Sequence, residues 1–276
     1  MPLSLLHLVV SRSRGRRRKA VFFGVMIGVA SCLPGWCPMA CGAIVTIYPS
    51  QDNSIYSESD TSNALGQLYS GMTPLGPVRR ALLEFDVAAS GIPSGSVIDS
   101  VSLDLVLTKI GAAGSTAATF QLHPIFSAWG EGRSSGSGTG GVATPTDATW
   151  NYRLFNTSPW IQPGGDISLL PSGTTSIGVA VGTAYTFSSQ AGLVADVQNW
   201  LDNPGSNNGW ILRATDELAL TAREFGSRET IQAQRPVLTV SYTPVPEPGT
   251  IGFLGAAVIA LAARRSGWRR NAATAR

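Results

Sequence analysis

The sequence predicts an all-β fold, a single antiparallel β-sandwich of the jelly-roll type with one short helix. Apolar and polar residues alternate with period two over residues 101–108 and 236–242, as they do in strands with one buried face. Similar short segments are separated by turns rich in Gly, Pro, Ser and Asn over about 200 residues. That length suits one β-domain with a full core. We expect an N-terminal signal helix and a C-terminal transmembrane helix to flank this domain.

Residues 1–43 have the three parts of a secretory signal peptide. Basic residues over 12–19 precede an apolar run at 20–30, and small residues follow at Ala40 and Ala43. This order predicts export by the general secretion machinery and cleavage by signal peptidase. Residues 29–32 also fit a lipobox, in which Cys32 would become a lipidated N-terminus.

Removal of the leader changes the composition of the chain. All three cysteines precede residue 42, so the exported part has no thiol for a disulfide or a metal. Residues 44–243 hold nine basic and sixteen acidic residues, a net charge of −7, although the whole chain is formally +3. Nucleic acid is therefore excluded as the expected partner.

The remaining elements of the core are predicted from local pattern. Residues 80–86 and 118–123 are further strand candidates. Apolar residues at 193, 194, 197, 200 and 201 form one helical stripe, which ends at Asn203 and Pro204. Residues 130–148 are rich in Gly, Ser and Thr and predict a long surface loop.

Several ordered blocks of residues 46–243 resemble DNRLRE domains. The blocks are Asp52-Asn53-Ser54-Ile55-Tyr56, residues 80–86, Trp129-Gly130-Glu131-Gly132, Thr149-Trp150, residues 196–200, Ser227-Arg228-Glu229 and residues 235–240. The resemblance implies a β-sandwich like those of carbohydrate-binding modules, some of which bind acidic polysaccharides such as alginate.

The end of the chain has the order of a sorting signal. Val245, Pro246, Glu247 and Pro248 form a rigid extended segment, because proline fixes φ and removes an amide donor. An uncharged run at 249–263 would span about 22 Å as a helix, less than the hydrocarbon core of a bilayer. Arg264 and Arg265 follow it, a basic flank that favours the cytoplasmic side.

Residues 244–270 resemble a PEP-CTERM signal, which implies processing by an exosortase, a membrane transpeptidase-like enzyme. Residues 271–276 form a short tail. The alternative is a single-pass anchor that happens to begin with prolines. Either way, the C-terminal helix would associate with the membrane, at least transiently, before sorting.

Candidate glycan-binding residues are aromatic or cationic. Indole faces stack on the C–H faces of sugars, and guanidinium groups clamp carboxylates. The candidates are Trp129, Trp150, Trp160, Arg228 and Arg235. The alternative is that the tryptophans belong to the core and that the arginines pair with acids between strands.

A structural calcium ion is the one cofactor the sequence suggests. Asp52, Asn53, Asp60 and Asn63 offer the hard oxygen ligands that calcium takes, although without EF-hand spacing. Asx residues in turns also occur without a metal.

No catalytic residues are predicted. His123 is the only histidine of residues 44–243, and Glu84 and Glu131 have no recognisable catalytic spacing. We therefore expect an exported, non-catalytic cell-surface or extracellular-matrix protein that binds a glycan. The alternatives are a passive envelope or biofilm component and a polysaccharide lyase or hydrolase.

Overall fold

The computed structural model describes residues 42–111 and 115–245. These residues form antiparallel β-structure with one α-helix, which confirms the predicted fold class. The predicted signal helix and transmembrane helix lie outside the described residues, as do Pro246, Glu247, Pro248, Arg264 and Arg265.

Fifteen strands and one α-helix follow one another along the described chain. The first eight strands are β1 Ala43–Ile47, β2 Gln51–Tyr56, β3 Thr61–Ser62, β4 Leu68–Met72, β5 Val78–Glu84, β6 Val97–Ile110, β7 Ala118–Pro124 and β8 Gly141–Val142. The remaining elements are β9 Tyr152–Leu154, β10 Ser158–Pro159, β11 Gly173–Ile177, β12 Ala184–Phe187, α1 Ala191–Asp202, β13 Trp210–Ala214, β14 Arg223–Phe225 and β15 Val237–Thr243.

The strands form two layers that are joined at one side. The first layer has the order β1-β15-β6, and β12 also pairs with β6. The second layer has the order β2-β5-β13-β7-β11. Strands β4 and β14 connect the layers, because β14 pairs with β6 and β4, and β4 pairs with β5.

The main core lies between the two layers. Inward residues of β6 and β15, such as Leu103, Leu105 and Val240, are fully buried in one cluster with Leu122 and Leu212 of the second layer. The alternation predicted for both strands is therefore confirmed, and β6 extends beyond the predicted segment at both ends. Complete burial of aliphatic side chains of this size contributes about 1.5–3 kcal/mol each.

A second cluster covers the outer face of the second layer. Leu82 and Ile211 belong to it, whereas their neighbours Leu83 and Leu212 belong to the main core, because successive side chains of a strand point to opposite faces. Its other buried members are Ile55, Ile125, Trp129, Ala148 and Trp160. Trp129 directly precedes the predicted surface loop and Ala148 is its last residue, so the loop region covers a sheet rather than standing free.

Asp147 holds that loop together. Its carboxylate accepts hydrogen bonds from the amides of Ser134 at 3.1 Å and Thr144 at 2.7 Å, and from the hydroxyl groups of both residues. Burial acts to raise the pKa of Asp147, but the hydrogen bonds from Ser134 and Thr144 outweigh it and lower the pKa. A carboxylate that satisfies several loop amides replaces the hydrogen bonds that regular structure would supply.

The helix packs its apolar face against the main core. Leu193, Val197, Trp200 and Leu201 are buried, as the predicted stripe requires, and the helix ends at Asn203 before Pro204. Gln198 accepts a hydrogen bond from the amide of Ile98 in the first layer. The helix therefore packs against the strands through its apolar face and is tied to them by polar bonds.

Candidate functional site

A cleft of about 270 Å³ opens where β4, β14 and β6 meet. Glu224 on β14 lies directly opposite Tyr69 of β4 on one side and Lys109 of β6 on the other. Directly opposed residues share a face of a sheet, so a phenol, a carboxylate and an ammonium group form one row. Pro74 and Ile110 add apolar lining.

Tyr69 also lines a second cleft, of about 530 Å³, and the two clefts share Ser137 as well. The phenol ring therefore stands between two adjoining depressions. We call these two clefts together the Tyr69 groove. Its second half is lined by Gln67, Ser227, Glu229 and Gln234 among others, a more polar surface than that of the first.

The ring of Tyr69 is held by its neighbours. It is half-buried, and its centroid lies 6.3 Å from the centroid of the Tyr56 ring. The guanidinium carbon of Arg79 lies 5.3 Å from the Tyr56 centroid. Burial, and then the charge of Glu224, raises the pKa of Tyr69 well above its ordinary value. A side-chain hydrogen bond with Glu224 raises the pKa of Tyr69 further, so the hydroxyl group stays protonated and the ring is the part of Tyr69 that can meet a ligand.

Of the described cationic side chains around the first cleft, two already have partners within the protein and one is free to meet a ligand. Arg223 is 2 % exposed, and its guanidinium donates to the carbonyl groups of Gly178 and Thr116. Arg79 pairs with Glu58 at 3.1 Å. Lys109 is exposed and forms no ion pair within the part of the chain that the structure describes, so it is the cation available to a ligand.

The three candidate tryptophans do not form an exposed platform. Trp129 and Trp160 are each 5 % exposed, and their indole N–H groups donate to the carbonyl groups of Asn208 and Thr149, both at 2.9 Å. No ring face remains for a sugar, so these two side chains are core residues in this structure. Trp150 is half-buried, and the Arg80 guanidinium carbon lies 4.8 Å from its ring centroid.

The two candidate arginines lie apart from the first cleft. Arg228 donates to Glu229 at 2.8 Å, and Glu131 lies 3.4 Å from the same nitrogen. Arg235 donates to the carbonyl group of Thr230 at 3.0 Å. Both guanidinium groups therefore have partners within the protein.

The four calcium candidates occupy different surroundings. Asn53 Oδ1 accepts hydrogen bonds from Ser62 Oγ at 2.8 Å and from the Asn63 amide at 2.9 Å, and Asn63 Nδ2 donates to the Gln67 carbonyl group. Asp60 is exposed and accepts from Asn151. Asp52 precedes Asn53 on a strand and so points to the opposite face, where it meets Glu131 and Glu229.

Tyr69, Lys109 and Glu224 were not singled out from the sequence. Lys109 directly follows the predicted strand 101–108, but no residue pattern near it in the sequence indicates a ligand-binding site. The row of Tyr69, Glu224 and Lys109 depends on pairing between segments that are far apart in the chain. A strand register of this kind leaves no local motif.

Within the described residues, no helix is long and apolar enough to cross a membrane. Curated proteins gave no match to the chain. The family model described as the PEP-CTERM protein-sorting motif matches residues 244–266, directly after the last strand. The chain is thus an exported protein with a PEP-CTERM sorting signal, which is anchored at the membrane before sorting and has an exosortase as its processing partner.

Proposed function

We propose that the exported domain is a non-catalytic, DNRLRE-like module that binds a polysaccharide in the Tyr69 groove, at the cell surface or in the extracellular matrix. The observation that carries this proposal is the position of Tyr69 between two adjoining clefts. The general secretion machinery and signal peptidase would deliver the domain before an exosortase acts on its tail.

An elongated groove suits a polymer better than a small isolated ligand. The first cleft, of about 270 Å³, is slightly smaller than the roughly 300–1,000 Å³ typical of ligand sites, so it fits one unit of a chain. The second cleft continues the surface on the other side of Tyr69. A sugar ring stacked on the phenol would place its neighbours in the two depressions.

The polar groups of the groove suit a hydroxylated and partly anionic ligand. Lys109 offers a cation and Tyr69 offers a ring face. Glu224, which accepts a hydrogen bond from Thr108 at 3.0 Å and interacts with the Tyr69 hydroxyl group, adds a carboxylate beside them. Because residues 44–243 carry a net charge of −7, we expect a polymer with scattered carboxylates rather than a dense polyanion.

The absence of catalysis is part of the proposal. His123 is 4 % exposed, and its ring nitrogens lie 2.8 Å from the Ser168 carbonyl oxygen and 3.3 Å from Gln121 Oε1. Burial lowers the pKa of His123, which favours the neutral ring. These contacts support a structural role for the histidine that a lyase mechanism would otherwise use.

The test is binding of the purified full chain, in mild detergent, to a panel of neutral and uronate-containing polysaccharides. Wild-type protein should bind at least one of them, and Tyr69→Ala should weaken binding about tenfold through loss of stacking. Tyr48→Ala is the matched control, because Tyr48 is 39 % exposed and lines neither cleft.

Three outcomes would contradict the proposal. Absence of binding across the panel would favour a passive envelope component. Release of new reducing ends or unsaturated products would show an enzyme. Equal affinity of the Tyr69 variant and wild type would place the ligand elsewhere on the domain.

A further inference from the structure

Three carboxylates from distant parts of the chain converge beside the second layer of the sandwich. Asp52 belongs to β2, Glu131 to the loop after Trp129, and Glu229 to the segment after β14. One carboxylate oxygen from each lies within 4.8 Å of the other two. Calcium binds oxygen at about 2.3–2.6 Å, so two oxygens bound to one ion are separated by at most about 5 Å.

Asp52 carries a buried oxygen atom without a partner. The residue is 0 % exposed, and its Oδ2 accepts a hydrogen bond from the Arg228 amide at 2.7 Å. Its Oδ1 has no hydrogen-bond partner. An unpaired buried carboxylate oxygen is costly, because it has lost its water without gaining a donor or a cation.

The charge of the cluster is unbalanced. Arg228 is the one cation in contact with it among the described residues, and it lies 2.8 Å from Glu229 and 3.4 Å from Glu131. Three carboxylates and one guanidinium leave a net charge of −2. A divalent cation would neutralise that charge, and a cation is the partner that an orphaned carboxylate oxygen requires.

The donor set selects the type of metal. All three donors are carboxylate oxygens, which suit hard cations rather than zinc or copper. Magnesium demands near-ideal octahedral geometry at about 2.0–2.1 Å, whereas calcium accepts irregular sets and longer bonds. Glu229 lines the second half of the Tyr69 groove, so an ion has a route from solvent.

We infer that Asp52, Glu131 and Glu229 form a calcium site that cross-links β2, the loop after Trp129 and the segment after β14. The site shares Asp52 with the set predicted from the sequence, but Glu131 and Glu229 take the place of Asn53, Asp60 and Asn63. It does not depend on the proposed glycan binding. Its role is to stabilise the domain outside the cell. Calcium sites of extracellular modules have dissociation constants of about 10⁻⁴–10⁻³ M, and we expect a value in this range.

The experiment follows the melting temperature of the full chain, purified in mild detergent, stripped with EDTA and then titrated with calcium chloride. Ligand that binds only the folded state raises the melting temperature by mass action. At 10 mM calcium we expect a rise of about 3–8 °C, and a much smaller rise with 10 mM magnesium.

Two variants assign the effect to these residues. Asp52→Asn removes the orphaned charge but keeps an acceptor for the Arg228 amide, so it should melt at or above the wild-type temperature in EDTA and gain nothing from calcium. Glu229→Gln changes a side chain that is 23 % exposed, so it should fold normally and also lose the calcium response.

Asp60→Asn is the matched control and should keep the full calcium response. A wild-type protein with no calcium-dependent shift would overturn the inference. An equal shift in wild type and in both site variants would overturn it as well. Loss of the response in Asp60→Asn and Asp52→Asn, with the full response kept in Glu229→Gln, would place the ion among Asp52, Asn53, Asp60 and Asn63, the set predicted from the sequence.

Discussion

The indole N–H group of Trp210 donates a hydrogen bond of 2.6 Å to the Asp196 carboxylate, which joins the one α-helix of the described residues to the second layer of the sandwich. The same carboxylate oxygen accepts a hydrogen bond from the Ser172 hydroxyl group. The rings of Trp210 and Trp200 lie 4.4 Å apart between their centroids. An aromatic pair and a partly buried carboxylate therefore add to the apolar face that packs the helix against the core.

Replacement of Asp196 by Asn should flatten the dependence of stability on pH. Burial raises the pKa of Asp196 above its ordinary value near 3.9, and its two hydrogen bonds only partly oppose this. The folded state thus retains a proton that the unfolded chain has already released, so stability falls as pH rises through that window. The free energy of unfolding in urea from pH 4 to 7 should fall less for Asp196→Asn than for wild type. Parallel curves for the two proteins would contradict this.

Glu217 should contribute strongly to stability because it holds two arginines. Arg80 binds its carboxylate through two nitrogens, at 2.8 and 2.7 Å, and Arg213 binds it at 2.8 Å. All three side chains are at most 26 % exposed. Glu217→Ala should cost about 3 kcal/mol in urea unfolding, since it leaves two guanidinium groups facing each other without a counter-ion.

The matched control for Glu217 is Glu58→Ala. Glu58 is 29 % exposed and binds a single arginine, Arg79, at 3.1 Å. Its loss should cost about 1–2 kcal/mol, less than that of Glu217, because the buried guanidinium of Arg79 loses one hydrogen bond, whereas Glu217 accepts three. Similar costs for the two variants would show that the Glu217 pairs are screened by solvent in the same way.

The elements that the sequence predicts well are long and have one clear face. Strand β6 has fourteen residues, and its buried and half-exposed positions alternate from Val101 to Leu107. Strand β11, in contrast, has the sequence GTTSI and buries only its first and last residues. Its register opposite β7 comes from tertiary pairing, so local alternation does not reveal it.

The candidate sites also differ in whether the local sequence reveals them or only the folded structure does. The sorting motif is contiguous, so the order of its residues is visible in the chain itself. Asp52 and Glu131 are also visible as isolated acids, but their meeting with Glu229 depends on how a strand and two loops pack. The burial of Trp129 and Trp160 follows from a second core that only the folded loop creates.

Trp160 and Trp150 should respond differently to truncation. Trp160 is 5 % exposed in the second core cluster, so Trp160→Ala should cost about 3–5 kcal/mol through cavity formation. Trp150 is half-buried and lies under the Arg80 guanidinium, so Trp150→Ala should cost about 1–2 kcal/mol and leave the domain folded. Urea unfolding of both variants tests this order. A larger loss for Trp150→Ala would contradict it.

Gly209 should not tolerate a side chain. Its φ is +72°, a left-handed conformation that favours glycine, and an added Cβ would overlap the carbonyl oxygen of Leu83 on the neighbouring strand. Gly209→Ala should therefore cost at least about 2 kcal/mol. Gly205→Ala is the control, because nothing lies within 4 Å of an added Cβ there and its φ is not positive. Equal stability of the two variants would be the contradicting result.

Alanine replacement of Pro246, Glu247 and Pro248 together should block processing of the sorting signal. These three residues lie at the start of the matched motif and precede its uncharged run. Intact-mass measurement of protein from exosortase-containing cells should show a shortened C-terminus in wild type and a complete one in the triple variant. Pro204→Ala controls for the loss of a proline, since Pro204 is exposed after the helix and outside the motif. A wild-type chain that keeps Arg276, identical to the triple variant, would show that the signal retains the protein without being cut.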